Sequence, residues 1–311
     1  MVYREVVILL DRKVKRLSVG EIILEYTVVG KGVNILVFHG GHSSCIEEFG
    51  YQTLLTSGYS IITPSRAGYG KTSPEQDLKK MCGIYQALLD QLQVKKVHII
   101  AVSAGGPTGI CFAAMFPDRV ASLTLQSAVT KPWLKPQDKE YKLGRRIFKP
   151  SVEKKTWNMI ALINNILPRT TFKLMLPSFS KLRFSEIRER LDEKSLEEFR
   201  KMNNRQRSYS GFLIDLEQSQ TDYTNELRSI RAPTLIQHSK NDSVVPLTHV
   251  EQAQSCIPHA EANVLDSWGH LIWIGQHARH FDERLLHFLS SNQIYDEDRS
   301  SVLNRSFISF F

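Results

Sequence analysis

Three residues far apart in this chain could act in series on one bond. Ser103 lies in Ala101-Val102-Ser103-Ala104-Gly105, between the apolar run Val97-His98-Ile99-Ile100 and a small-residue helix opening at Gly106-Pro107. A serine on so tight a strand-to-helix turn has a strained backbone and an outward hydroxyl, and only small residues two places to either side let strand and helix meet. Gly105 fits that need, and Ala101 fits it as a departure from the commoner glycine. The hydroxyl is a weak nucleophile at neutral pH, so it needs a base within hydrogen-bond reach and a carboxylate to orient that base. His270 ends Ser267-Trp268-Gly269-His270 after the apolar run Ala262–Leu265, and Asp242 lies in the turn that follows Thr234–His238. Plainer roles compete: Ser103 as a small residue at a packing turn, and Asp242 as a turn cap. In the second case Asp215, Asp222 or Asp266 would be the acid.

These side chains need a scaffold that brings strand ends together. Short apolar runs at Glu21–Val29, Asn34–Phe38, Tyr59–Thr63, Val97–Val102, Ala121–Gln126, Thr234–His238 and Ala262–Leu265 alternate with helix-length segments at Pro74–Leu92, Ala104–Phe116, Leu247–Ile257 and His277–Leu289. That alternation predicts a parallel sheet covered on both faces, and Gly30-Lys31-Gly32 predicts a hairpin feeding its first buried strand. The alternation breaks over 131–231, where Val152, Trp157, Ile160, Ile163 and Ile166, then Phe184, Ile187, Leu191, Phe199 and Met202, recur at helical spacing among charges. Amphipathic helices separated by Pro168 and Pro177 are expected there, forming a lid over the end of the sheet. At their spacing Trp157, Phe172 and Met175 fit helix core better than a pocket wall. The organisation expected is a core of residues 1–130 and 232–291, a helical lid of 131–231, and a tail of 292–311 with no structural assignment.

Composition narrows the function classes. At 311 residues, 42% hydrophobic and 23% charged, the chain has the make-up of an ordinary globular protein with a full core. Met1–Leu10 lacks the features of a secretory signal, and Val97–Phe116, though nearly free of charge, is broken by glycines and Pro107, so neither export nor a membrane span is expected. Cys45, Cys82, Cys111 and Cys256 form no CxxC pair and fit reduced thiols in the cytoplasm. The net charge of +8 is confined to 131–231, which holds 22 Lys and Arg against 13 Asp and Glu. A solvated helical surface accounts for that excess, with an anionic substrate or peripheral membrane contact as the alternatives. No nucleic-acid-binding motif accompanies it. Ser65–Thr72 nearly spells a phosphate loop but lacks its first glycine, and His277, His280 and His287 lack the companions of a metal site.

From Asn34 to Leu289, the segment 131–231 apart, the chain resembles a lidded α/β-hydrolase. The resemblance rests on His39-Gly40-Gly41, Ser65-Arg66-Ala67-Gly68-Tyr69-Gly70-Lys71-Thr72-Ser73, the Ser103 turn, Phe116-Pro117-Asp118-Arg119-Val120, Asp242 and Gly269-His270, in the family's order of serine, acid and histidine. It implies a mostly parallel eight-stranded sheet with helices on both faces and a helical lid. It also implies Ser103 as nucleophile, His270 as base, Asp242 as orienting acid, and the backbone amides of Gly41 and Ala104 as the oxyanion hole. Elementary chemistry agrees with the last pair, since Ala104 opens a helix whose free amides favour negative charge and Gly41 has no side chain to block approach. His39 is expected to brace that loop. The activity implied is cleavage of a carboxylic ester, or of a thioester or amide, through an acyl-enzyme, with no cofactor or metal. A serine nucleophile argues against the aspartate-dependent epoxide hydrolases and haloalkane dehalogenases. Carbon–carbon bond hydrolysis and perhydrolysis stay open on the same residues, as does a non-catalytic protein that binds a small molecule. Oligomeric state has no sequence signal.

Overall fold

The computed structural model describes residues 12–294; Met1–Leu10 and nearly all of the tail lie outside the described residues. Eight strands, β1 (Lys15–Val19), β2 (Ile22–Gly30), β3 (Val33–Phe38), β4 (Tyr59–Pro64), β5 (Val97–Val102), β6 (Val120–Gln126), β7 (Thr234–Ser239) and β8 (Ala260–Leu265), form one sheet in the order β1-β2-β4-β3-β5-β6-β7-β8. β2 pairs antiparallel with β1 and β4, and the remaining pairings are parallel. The helices are, in chain order, α1 (Tyr51–Thr56), α2 (Leu78–Gln91), α3 (Gly106–Met115), α4 (Lys139–Ile147), α5 (Glu153–Ile166), α6 (Pro168–Met175), α7 (Phe184–Glu189), α8 (Glu193–Arg205), α9 (Gly211–Gln218), α10 (Thr224–Ser229), α11 (Thr248–Cys256) and α12 (Ala278–Ser291).

Every residue of β5 and β7 is buried, which requires cover on both faces. Alternate side chains divide between two cores, as the two-residue period of a strand demands. Leu36, Phe38, Ile99, Ala101 and Leu123 pack with α2, α3, α10 and α11. Ile35, Val37, Ile100, Val102 and Leu235 pack on the other face with α1 and α12. That second core continues into the loop Trp268–Ile274 and, through Ile187, Phe199 and Met202, into the helices inserted between β6 and β7. The hydrophobic burial that stabilises the sheet therefore also fixes the His270 loop.

Two local expectations are corrected. The hairpin is β1–β2, turning at Gly20; the turn at Gly30–Gly32 leads to β3, which pairs with β4 and β5 and not with β2. A Cβ on Gly32, at φ 121°, would sit 2.0 Å from the Gly58 carbonyl oxygen, so glycine there lets β4 slip in between. α2 starts at Leu78, not Pro74, because the Asp77 carboxylate caps it by accepting from the amides of Lys79 and Lys80 at 2.9 and 3.1 Å.

Within the insertion, Trp157, Ile187, Phe199 and Met202 are buried as their spacing predicts. Phe172 packs edge-on against Phe199 and Met175 lies against Asn203, so both belong to the packed interior of the helices. Ile163 and Ile166, expected on the same buried stripe as Trp157, face solvent instead. Pro168 opens α6 at its first turn, where its missing N–H costs no internal bond. α10 ends the insertion and packs on α3, with Leu227 in the first core.

Candidate active site

β5 delivers Ser103 onto a single 3₁₀ turn, Ser103–Gly105, that runs directly into α3. Ser103 has φ 49°, the left-handed region that costs a non-glycine residue roughly 1–3 kcal/mol. Close packing excludes a side chain two residues on: a Cβ on Gly105 would lie 2.3 Å from the Phe38 carbonyl oxygen. The departure at Ala101 has a local remedy, because its methyl faces Gly109 on α3, where a Cβ would come within 2.5 Å of it. The turn leaves Ser103 and Ala104 partly exposed.

His270 Nε2 lies 3.0 Å from Ser103 Oγ, and His270 Nδ1 lies 2.7 Å from Asp242 Oδ2. With the ring proton on Nδ1 donated to the carboxylate, Nε2 is left to accept the serine hydroxyl. The other oxygen of Asp242 accepts from the amides of Val244 and Val245 at 2.7 and 2.9 Å. Burial by itself raises the Asp242 carboxyl, but the His270 imidazole, His238 and the Val245 amide outweigh it and hold the acid below the usual carboxylate range. The acid is therefore a carboxylate across the neutral range.

His270 is held from several sides. Its amide donates to the Phe179 carbonyl at 2.8 Å, its carbonyl accepts from Ser127 Oγ at 2.9 Å, and the Phe179 ring lies nearly parallel to the imidazole. The segment around Phe179 also binds the acid's loop, through the Lys181 amide on the Asn241 carbonyl and a bridge between Ser180 and Asp242. Gly269 admits this approach: a Cβ there would meet the Phe179 carbonyl oxygen at 2.4 Å.

Facing Ser103 is the loop His39–Gly41. A Cβ placed on Gly41 would lie 3.9 Å from that of Ala104, so the two candidate oxyanion amides belong to touching segments. His39 is fully buried, donates from Nδ1 to the Gly40 carbonyl at 2.7 Å and accepts the Arg66 amide at Nε2 at 3.0 Å. Burial, helped by the Arg66 charge, pushes its pKa well below the ordinary histidine value, so the ring is a neutral brace. The Arg66 side chain donates to the carbonyls of His39 and Gly40 at 2.7 and 3.2 Å. Its other hydrogen bonds go to both oxygens of Asp215, at 2.5 and 2.8 Å, and Tyr69 donates to the same carboxylate at 2.6 Å.

One residue and one pairing at the site have no clear sequence signal. His238, which donates from Nε2 to the Val245 carbonyl at 2.9 Å, brings that same nitrogen within 3.3 Å of Asp242 Oδ2; its only signal was its place four residues before the acid, at the end of β7. Arg66 and Asp215 are 149 residues apart and no local pattern joins them. The competing acids have other partners: Asp215 binds Arg66, Asp222 accepts from the amide and hydroxyl of Thr224, and Asp266 binds Lys240 and Asn241. The phosphate-like loop carries the Glu25 carboxylate, which accepts from the Lys71 amide at 3.1 Å and is opposite in sign to a phosphate cradle. Among the described residues no cluster of His, Cys, Asp or Glu has the form of a metal site, and no helix is long and apolar enough to cross a membrane.

The family model of the alpha/beta hydrolase fold matches residues 33–275. An uncharacterized hydrolase, YcgS, of Bacillus subtilis (strain 168) is 52% identical over 284 residues, covering 91% of this chain and 100% of its own length. A 2-hydroxy-6-oxononadienedioate/2-hydroxy-6-oxononatrienedioate hydrolase of Cupriavidus pinatubonensis is 27% identical over 77% of this chain and 79% of its own. Among solved structures, an alpha/beta hydrolase fold protein from Nakamurella multipartita superimposes with a TM-score of 0.77 at 22% identity, over 90% of this chain and all of that one.

Proposed function

The chain belongs to the alpha/beta hydrolase fold family, and from that premise we propose that it is a serine-dependent hydrolase that cleaves a carboxylic ester through an acyl-enzyme. The observation that supports the reading is the unbroken run of contacts from the partly exposed Ser103 hydroxyl through His270 to the buried Asp242 carboxylate, at 3.0 and 2.7 Å. Ser103 Oγ attacks the acyl carbon while His270 Nε2 takes its proton, and Asp242 stabilises the imidazolium. The amides of Gly41 and Ala104 receive the oxyanion, His270 then protonates the leaving alcohol, and a water activated by the same nitrogen releases the acid. The helices from α4 to α9 serve as the lid over this centre, with the segment at Phe179 as their tie to the His270 and Asp242 loops. The buried thiols of Cys45, Cys82, Cys111 and Cys256 suit a reducing compartment, which supports a cytoplasmic location.

A fluorophosphonate probe tests the reading. It should label the peptide that holds Ser103, and Ser103→Ala should lose both labelling and turnover, the latter by about a million-fold. A folded wild-type protein that takes no label and cleaves no ester would make this a binding protein on the same fold. The relative named for 2-hydroxy-6-oxononadienedioate hydrolysis favours a second reading, cleavage of a carbon–carbon bond beside a ketone by the same serine. Turnover of that compound in preference to a panel of esters would decide for it.

A further inference from the structure

The insertion's second and third helices are turned partly inside out. On α5 the buried positions include the polar residues Glu153 and Asn164 beside Trp157. Glu153 pairs with Arg207, and Asn164 donates to the Arg200 carbonyl and to Asn204 on α8. Apolar side chains stand on the outside: Met159, Leu162, Ile163 and Ile166 on α5, Leu167 at its end and Leu174 on α6 are between 43% and 73% exposed. A helix on a globular protein normally shows the reverse arrangement. Six large apolar side chains in one stretch of sixteen residues form a patch of the kind that marks an interaction surface.

Charge identifies what that surface meets. From residue 141 to residue 185 there are ten Lys and Arg and a single acid, Glu153, which is the buried one. Lys154, Lys155, Arg169 and Lys173 are exposed on the same two helices as the apolar crest. Where α4 gives way to α5, a groove of about 440 Å³ lined by Leu143, Ile147, Val152 and Thr156 with Arg146 and Lys149 repeats the mixture. On the neighbouring helix α8, the Glu197 carboxylate is paired with Arg200 at 2.7 Å. A second copy of this chain seated face to face would oppose like charge to like. A nucleic acid would answer the basic groups and leave the apolar crest in water.

We propose that the outer face of α5 and α6 docks on an anionic lipid surface, the apolar crest entering the acyl boundary and the basic residues meeting the headgroups. An amphipathic helix with Lys and Arg on its polar flank and low overall hydrophobicity lies in the plane of such an interface. The crest and the charges act together, since apolar burial sets the depth and the basic groups add attraction to negatively charged lipid. On the proposed reading of the insertion as a lid, the face belongs to the helices over the Ser103 site, so docking there would bring an acyl compound dissolved in lipid to that site. The docking itself does not rest on the hydrolase reading.

Co-sedimentation of the full chain with vesicles tests the proposal. Binding to an equimolar mixture of phosphatidylcholine and phosphatidylglycerol should exceed binding to phosphatidylcholine alone by about tenfold or more and weaken as salt is raised. The double variant Leu162→Glu, Ile166→Glu should weaken binding by at least about tenfold with an unchanged melting temperature, both positions being exposed. Three results would overturn the proposal: no sedimentation with the anionic vesicles, equal binding by the double variant, or a wild-type dimer in solution that this variant dissociates without any lipid binding by either protein. The last would assign the face to a second copy of this chain.

Discussion

Asp242 shows how much depends on which oxygen of one side chain faces which donor. Oδ1 already accepts two amides, so an asparagine at this position would keep its carbonyl oxygen there and turn its NH₂ toward His270 and His238. His270 would then have to accept at Nδ1 and carry its proton on Nε2, which disables it as a base toward Ser103. Asp242→Asn should therefore lower kcat by about ten-thousandfold with little change in KM, a loss that steady-state kinetics reads directly. A variant with near wild-type kcat would mean that another group orients the imidazole. Ser103, His270 and Asp242 stand out in the sequence as candidates because each is marked locally, by small neighbours or by a place just past an apolar run. His238 does not, because a histidine inside the apolar run Thr234–His238 looks like any other core residue until the acid folds back over it.

Between elements, the Arg66–Asp215 pair ties α9 of the insertion to the loop His39–Gly41. Both side chains are almost fully buried, so neither charge can be left alone. Asp215→Ala strands the guanidinium and should cost about 3–5 kcal/mol of stability, measurable by denaturant unfolding. Replacing both partners by apolar residues, Arg66→Met with Asp215→Leu, should recover much of that stability, since a buried ion pair is seldom better than good apolar packing. Activity should stay low in the double variant, because Arg66 also holds the carbonyls of His39 and Gly40. Recovery of both stability and kcat would show that the loop keeps its shape without the arginine. The sheet that carries this loop is legible in alternating apolar runs; β1 is not, because its short stretch, Lys15 to Val19, is an exposed edge strand without that signal. The outward turn of Ile163 and Ile166 is hidden from the sequence for a related reason: helical spacing reveals that a stripe exists and not which way it faces.

Across the whole molecule the positive charge sits on the insertion, while the core holds an unusual set of buried neutral histidines. His39, His98, His238 and His249 are each at most 1% exposed. Burial lowers all four, with Arg66 acting on His39, Lys96 on His98 and Lys131 on His249, and it pushes His98 and His249 down to about 4. An unfolded histidine takes up its proton near pH 6.5, whereas these take it up only at lower pH. The unfolded chain therefore binds more protons in the interval between, and stability that is fully present above about pH 6.5 is lost as pH falls toward 4. Each such group adds a slope of up to about 1.4 kcal/mol per pH unit. The melting temperature should be level from about pH 8 to 7 and fall by at least about 10 °C between pH 6.5 and 5. Growing self-repulsion of a chain already at +8 acts in the same direction, so a variant must separate the two effects. His98→Gln can still bond to Ser122, which contacts the ring Nδ1 at 2.8 Å, and does not titrate. It should reduce the slope by about one proton's worth, about 1.4 kcal/mol per pH unit, where a repulsion mechanism would leave the slope as it was.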